Sequence, residues 1–364
     1  MPGLKDRIVR LIEAGGPLSV ADYMAICLYD PEDGYYMTRD PFGRSGDFTT
    51  APEISQMFGE LIGIWLVSAW RALGRPDRPI VAEIGPGRGT LMKDVVRTIG
   101  RIAPDLRSSA DFRLIETSGK LRLAQATTLQ GSWGHFEWHG DIDELPRAPL
   151  LIVGNELFDA VPIRQYVKAG RIWLERAVGL DAGGNLVFTT KPGSLDPSLV
   201  PPDASAGPDG TIVEIAPART AIMDKIAARI ATDSGAGLFI DYGYAQPAAG
   251  DSLQALVRHA YADPLTEPGL ADITAHVDFA ALIEAAQAHG LETNLSTQGD
   301  FLLGMGMLER AGQLGAKADQ ATRRRLQGEV DRLAGSDAMG TLFKVLALSR
   351  PGMPLPTSTL AGSD

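Results

Sequence analysis

Three features of the 364-residue chain predict an α/β fold with an open parallel sheet. From Pro79 onward, short apolar runs alternate with amphipathic segments, as in strands joined by crossover helices. The first run, Ile80-Val-Ala-Glu-Ile84, breaks directly into Gly85-Pro-Gly-Arg-Gly89 and then an amphipathic stretch from Leu91 to Ile99. A strand, a tight glycine loop and a helix N-terminus in that order form a cradle for the nucleoside end of a cofactor. Before Pro79 the pattern is helical, so the sheet carries an N-terminal addition.

Taken in order, Leu4, Ile8, Leu11 and Ile12 interleave with charges as one amphipathic helix. Ser19 and Asp22 make a capping-box-like start before Met24, Ile26 and Leu28, and a turn-rich passage spans Asp30 to Tyr36. Thr50-Ala-Pro-Glu53 reads as a second start, feeding Ile54, Met57, Phe58, Leu61, Ile62 and Trp65 as one helix. Strands are expected at 80–85, 112–116, 136–139 and 150–154, with a hairpin of 164–168 and 171–178 around Ala169-Gly170. The Pro- and Gly-rich stretch 181–210 reads as a surface excursion. Residues 211–215 lead through Pro217 into a helix to about Ile230, and 237–242 is a central buried strand. Gly290 closes a helix from Phe279 to Ala288, another runs from Gln320 to Leu333, and 341–349 is the last strand. The polar, Pro-rich tail from Pro351 is expected to be disordered.

Apolar residues at 45% and charged residues at 22% are ordinary for a globular chain. The net charge of −11 argues against a nucleic-acid surface, which needs clustered Lys and Arg. The single cysteine, Cys27, excludes an internal disulfide and points to a reducing compartment. No apolar run reaches membrane-spanning length, and the charged first helix is unlike a signal peptide, so a cytoplasmic, soluble protein is expected. No Cys/His spacing suggests a metal, and no Walker-type loop occurs.

The ends of the strands nominate the chemistry, because open α/β sheets bind ligands beyond their carboxyl edges. A dinucleotide fingerprint would need glycine at position 90, which is Thr90; the third glycine is Gly89. Glu83 before a G-x-G-x-G loop (Gly85, Gly87, Gly89) favours S-adenosylmethionine (SAM) over a nicotinamide. Glu116, ending the second strand, could accept both ribose hydroxyl protons or instead cap the next helix. Asp141 and Ile142 offer an acid and an apolar face for adenine, with a plain turn as the rival for Asp141. The fourth strand ends in Asn155 and Glu156, with Asp159 three residues on. These polar groups after Leu150-Leu-Ile-Val153 are the catalytic candidates, and a helical turn would bring Glu156 and Asp159 onto one face to grip a guanidinium. The alternative is that Asn155 or Asp159 caps a following helix. Asp47 and Phe48, in a glycine-hinged loop, and His259 and His276, in a polar cluster with Asp272, Thr274 and Asp278, are candidates for a substrate-covering lid.

The segments 46–60 (GDFTTAPEISQMFGE), 83–91 (EIGPGRGTL), 154–162 (GNELFDAVP), 237–244 (GLFIDYGY) and 271–279 (ADITAHVDF) resemble those of the MidA-type SAM-dependent methyltransferases. That family includes a mitochondrial assembly factor of respiratory complex I. The resemblance implies a Rossmann-like seven-stranded methyltransferase core over 76–350, a helical region and lid over 1–75, an insertion at about 161–215 and a tail at 351–364. It further implies SAM on Gly85, Gly87, Gly89 and Glu116, with Asn155 and Glu156 facing the substrate. The activity implied is methylation of a protein arginine in a complex I core subunit. The chain begins almost directly with its first helix, without an Arg- and Ser-rich presequence, which suggests a bacterial relative. A scaffold that keeps the fold without turnover, a nicotinamide dehydrogenase and a nucleic-acid methyltransferase are the rival functions. The intact loop, Thr90 and the charge of −11, respectively, count against them.

Overall fold

The structure, a computed structural model, describes residues 3–39 and 49–356. The chain divides into two compact units, each described by itself below.

The unit formed by Thr49–Leu157, Ile222–Ala245 and Ala281–Asp364 holds the sheet that the glycine loop belongs to. Its strands are β1 (Ile80–Ile84), β2 (Asp111–Ile115), β3 (Phe136–His139), β4 (Leu150–Asn155), β5 (Gly235–Tyr244), β6 (Glu292–Thr297) and β7 (Phe343–Ser349). They lie in the order β3-β2-β1-β4-β5-β7-β6, with β1 to β5 parallel and β7 antiparallel to both neighbours. This is the Rossmann-like, mostly parallel sheet expected. β1 and β4 are buried along their whole length, which their unbroken apolar runs require, whereas the edge strand β3 is only half-buried. The strand order reverses between β1 and β4, and the registers Ile84↔Ile115, Ile115↔His139 and Glu83↔Val153 align the carboxyl ends of four strands. A ligand crevice opens at such a switch point.

The helix expected from Thr50 is two helices, Ala51–Ile54 and Gln56–Ala72. Ser55 adopts extended backbone between them, and its hydroxyl accepts from the Met57 N–H at 3.2 Å, so one residue both ends a helix and caps the next. The longer helix packs tightly on the helix Thr90–Ile102 that follows the glycine loop. A Cβ on Gly59 would come within 2.6 Å of the Asp94 side chain. Glu60, 5% exposed, accepts from Arg310 at 2.7 and 3.0 Å, and Arg97 bridges Asp94 at 2.9 Å. Phe58, Trp65, Leu151, Val153 and Leu238 share the core beneath these helices. Residues 351–356 lie along that core: Met353 and Leu355 pack against it, and the Pro356 carbonyl accepts from Trp65 Nε1 at 3.2 Å.

The other unit, Met1–Phe48, Phe158–Ala221 and Gln246–Ala280, is built on antiparallel pairs. Helices Leu4–Gly15 and Val20–Tyr29 supply Ile8, Tyr23, Met24 and Cys27 to a core with Tyr35, Val178 and Ile273. Burial pushes the Cys27 thiol up to about 12, which makes it a packing group rather than a nucleophile. The stretch 181–210 corrects the expectation of a bare excursion. Leu186–Lys191 forms a strand paired with Ile172–Leu180, turned by Asp181, whose Oδ1 accepts from the Gly183 and Asn185 N–H groups at 2.8 Å. Helix Pro202–Ala206 follows. A second small sheet, Gln254–Val257, Ala260–Ala262 and Asp272–Thr274, was also hidden in loop-like text.

Arg219, 2% exposed, fastens this unit. Its guanidinium donates to the carbonyls of Val161 (3.1 Å), His276 (2.6 Å), Asp159 (3.1 Å) and Ala275 (3.1 Å). Arg219→Ala should therefore destabilise the protein by about 3 kcal/mol or more, because buried carbonyls lose a charged donor. Denaturant unfolding checks this; a loss under about 0.5 kcal/mol would contradict the fastening role. Among the described residues, no helix is long and apolar enough to cross a membrane.

Candidate functional site

The glycine loop turns sharply away from β1. Gly85, Gly87 and Gly89 all take left-handed backbone, with φ of 67°, 51° and 81°. A Cβ on Gly85 would stand 2.8 Å from Leu157 Cδ1, a flexible side-chain tip that could shift, so it is the left-handed conformation that demands glycine there. Gly89 opens helix Thr90–Ile102 with no side-chain cap, leaving that end positive and available to a carboxylate. Glu83 is buried beneath, where it takes a hydrogen bond from the Met92 N–H while its Oε2 has no partner. Desolvation pushes its carboxyl up to about 8.

That shift has a sign that can be measured. The folded state holds the Glu83 proton more tightly than the unfolded chain, so the stability it contributes is full below about pH 4.5. It is lost as pH rises toward about 8. The apo protein should lose melting temperature over that window, and Glu83→Gln should flatten the loss. An unchanged pH profile in the variant would show that Glu83 is ionised throughout.

Glu116, at the end of β2, is 9% exposed and both of its oxygens are engaged. Oε1 accepts from the Ser118 N–H at 2.8 Å and Oε2 from Gln125 Nε2 at 3.1 Å. Capping is thus part of its task, and the lone pairs left over are what a ribose could use. Burial raises its carboxyl, and these donors oppose the rise. Gln125 was missed from the sequence, although a signal exists. It falls between Leu121 and Leu129 at i, i+4 and i+8, a polar group on a buried helix stripe. Its Nε2 also donates to the Gly87 carbonyl at 2.8 Å.

Beyond β3, Ile142 is buried at 3% exposure. Asp141 caps the short helical turn Ile142–Glu144, accepting from the Asp143 N–H at 2.9 Å, and it pairs with Lys225 at 2.9 Å. Both contacts hold its carboxyl below the usual range, and the turn reading of Asp141 is realised. The carboxylate is committed to Lys225.

At the end of β4 the expected helical turn does not form: residues 156–160 are bend and turn, followed by strand Arg164–Ala169. There is consequently no helix for Asn155 or Asp159 to cap, and no shared helical face for Glu156 and Asp159. Glu156 instead takes φ of 50°, a costly conformation for a residue with a Cβ. Its Oε1 accepts from Asn155 Nδ2 at 2.9 Å and from the Ala51 N–H at 3.2 Å. Asn155 is 8% exposed, and its buried Oδ1 has no partner. Glu53, two residues after Ala51, accepts from the Thr90 hydroxyl. The segment 51–54 is thereby tied both to the end of β4 and to the start of the glycine-loop helix, a link the sequence did not reveal.

In the other unit, Asp159 Oδ1 accepts from the next residue's N–H at 2.8 Å. His276 is held through its backbone, donating to Ser252 Oγ at 2.9 Å and accepting from Arg219. His259, exposed, turns the hairpin between Val257 and Ala260, with Arg258 and His259 at φ of 50° and 63°. The buried Asp272 accepts from Tyr36 at 2.8 Å. Asp47 and Phe48 lie outside the described residues. Among the described residues, no cluster of His, Cys, Asp or Glu suits a metal ion.

A glycine cradle over a buried acid, a ribose-competent carboxylate on the next strand and an unpartnered amide oxygen on β4 fit S-adenosylmethionine, and with the strand order they define a methyltransferase class. The chain belongs to the Methyltransf_28 family of S-adenosyl-L-methionine-dependent methyltransferases, whose profile matches residues 61–297. It is 35% identical to the mitochondrial protein arginine methyltransferase NDUFAF7 of Mus musculus, covering 93% of this chain and 82% of that protein. The Homo sapiens protein of the same name is 34% identical, over 93% and 81%. A crystal structure of a Burkholderia thailandensis protein bound to S-adenosyl-homocysteine has a TM-score of 0.84 at 29% identity, covering 100% of this chain and 98% of that one. The protein is a SAM-dependent methyltransferase, and its cofactor is SAM. The cytoplasmic location expected from the sequence is corrected by these relatives, which are named mitochondrial.

Proposed function

We propose that the chain is a protein arginine N-methyltransferase acting on a core subunit of respiratory complex I during assembly. The observation that carries this reading is the buried, unpartnered Oδ1 of Asn155 beside the Glu156 carboxylate at the end of β4. A planar guanidinium offers N–H donors to an amide oxygen and charge to a carboxylate together. The names of the mitochondrial relatives support a protein arginine as substrate, and the resemblance to the complex I assembly factor supports the subunit.

SAM supplies an electrophilic methyl on its sulfonium. The residues of the chain bind and orient. Gly85, Gly87 and Gly89 with the helix opening at Thr90 receive the methionine carboxylate, Glu116 takes the ribose, and the Ile142 turn borders adenine. Asn155 orients the substrate nitrogen for in-line attack, and Glu156 holds the guanidinium and receives the proton that the methylated nitrogen loses.

The test has two arms. Calorimetry with S-adenosylhomocysteine, with NADH as control, should give one-site binding of the former alone. Complex I subunits incubated with enzyme and SAM should gain 14 Da increments on arginine by mass spectrometry. Binding without any methylated arginine would favour the non-catalytic scaffold reading.

A further inference from the structure

We infer that Gln125 is a positioning residue for the cofactor, holding the Glu116 carboxylate and the glycine loop in one binding geometry; this rests on the assignment of Glu116 to the ribose. The side chain is wholly buried and its amide is fully used. Trp138 Nε1 lies 2.8 Å from Gln125 Oε1, and an indole N–H only donates, so that atom must be the oxygen. Both amide hydrogens are then forced toward the remaining acceptors, the Gly87 carbonyl at 2.8 Å and Glu116 Oε2 at 3.1 Å. One residue thereby ties the middle of the glycine loop to the acid of the neighbouring strand, with its own orientation dictated by β3.

The packing agrees. A Cβ on Gly89 would meet Gln125 Cα at 3.4 Å, so the loop closes directly over the base of this side chain. With the Ser118 N–H donating to Oε1, Gln125 to Oε2 and the Thr117 backbone adding a further donor, the Glu116 carboxylate is held in place by its neighbours. The donation also favours the charged carboxylate, opposing the pull of burial. Without Gln125, Glu116 would swing or take up a proton, and in either case would cease to accept from two hydroxyls at once.

The test is a cycle of Gln125→Met, Glu116→Gln and the double variant, with S-adenosylhomocysteine affinity measured from pH 6 to 9 and folding followed by melting temperature. Gln125→Met should weaken binding about 10- to 100-fold near neutral pH, the loss of a charge-assisted hydrogen bond. The double variant should bind no worse than Glu116→Gln within about threefold. Losses that multiply in the double variant would make Gln125 a packing residue and overturn the inference. If Glu116→Gln alone leaves affinity intact, the ribose assignment itself has failed, and the inference with it. Should Gln125→Met fold poorly, Gln125→Glu supplies the same reading. It adds a second carboxyl beside Glu116, so affinity should fall steeply with rising pH, and a flat profile counts against the link.

Discussion

Glu156→Gln should retain S-adenosylhomocysteine affinity within about threefold while kcat for arginine methylation falls by about 10²- to 10⁴-fold. The substitution preserves shape. A glutamine oxygen can still accept from Asn155 Nδ2 and from the Ala51 N–H, so the segment 51–54 keeps its tie to the end of β4. What disappears, on the proposed role, is the negative charge that would face a guanidinium and the group that would accept its proton. The backbone at Glu156, with φ of 50°, also survives, since either side chain bears the same strain there. The measurement is single-turnover methylation beside calorimetry on the same preparation. A kcat within twofold of wild type would remove Glu156 from the reaction, and a parallel loss of cofactor affinity would assign it to cofactor binding.

The positions of the glycine loop, of Glu116 and of Asn155 at the carboxyl ends of their strands were legible because each signal is local: a buried apolar run followed within a few residues by its polar exit. The parallel sheet was legible for the same reason, since strands that alternate with helices pair in parallel, whereas the strand order and the edge strand β6, which pairs antiparallel with β7, were not read from the sequence. What escaped depends on residues far apart in the chain. Gln125 owes its meaning to Gly87, Glu116 and Trp138, and in isolation is one polar residue on an apolar stripe. The break at Ser55 was masked by the apolar positions on either side of it, which continue the helical period through a residue in extended backbone. Leu186–Lys191 was masked by flanking Gly and Pro, because an Asp181 turn and a partner strand are set by pairing rather than by propensity. The helical turn expected after Asn155 failed for a related reason. The chain there must re-enter an antiparallel strand at Arg164, and that requirement overrides any local preference.

Gly87→Val should abolish measurable cofactor binding, a weakening of at least about 100-fold, while the protein still folds. Gly87 sits at φ of 51°, where a β-branched residue is strongly disfavoured, so the loop must relax by rotating its peptide units. Rotation carries the Gly87 carbonyl off Gln125 Nε2 and points the loop's N–H groups away from the ligand. Backbone strain alone costs about 1–2 kcal/mol, which lowers stability without touching the ligand. A matched control separates the two effects. Gly74 has φ of 81° and open space around its Cβ position, away from the loop in sequence. Gly74→Val should show a similar loss of stability with S-adenosylhomocysteine affinity unchanged. If Gly87→Val bound the cofactor like wild type, the loop would not be the cradle. If Gly74→Val lost binding equally, general strain rather than the geometry at Gly87 would account for the effect.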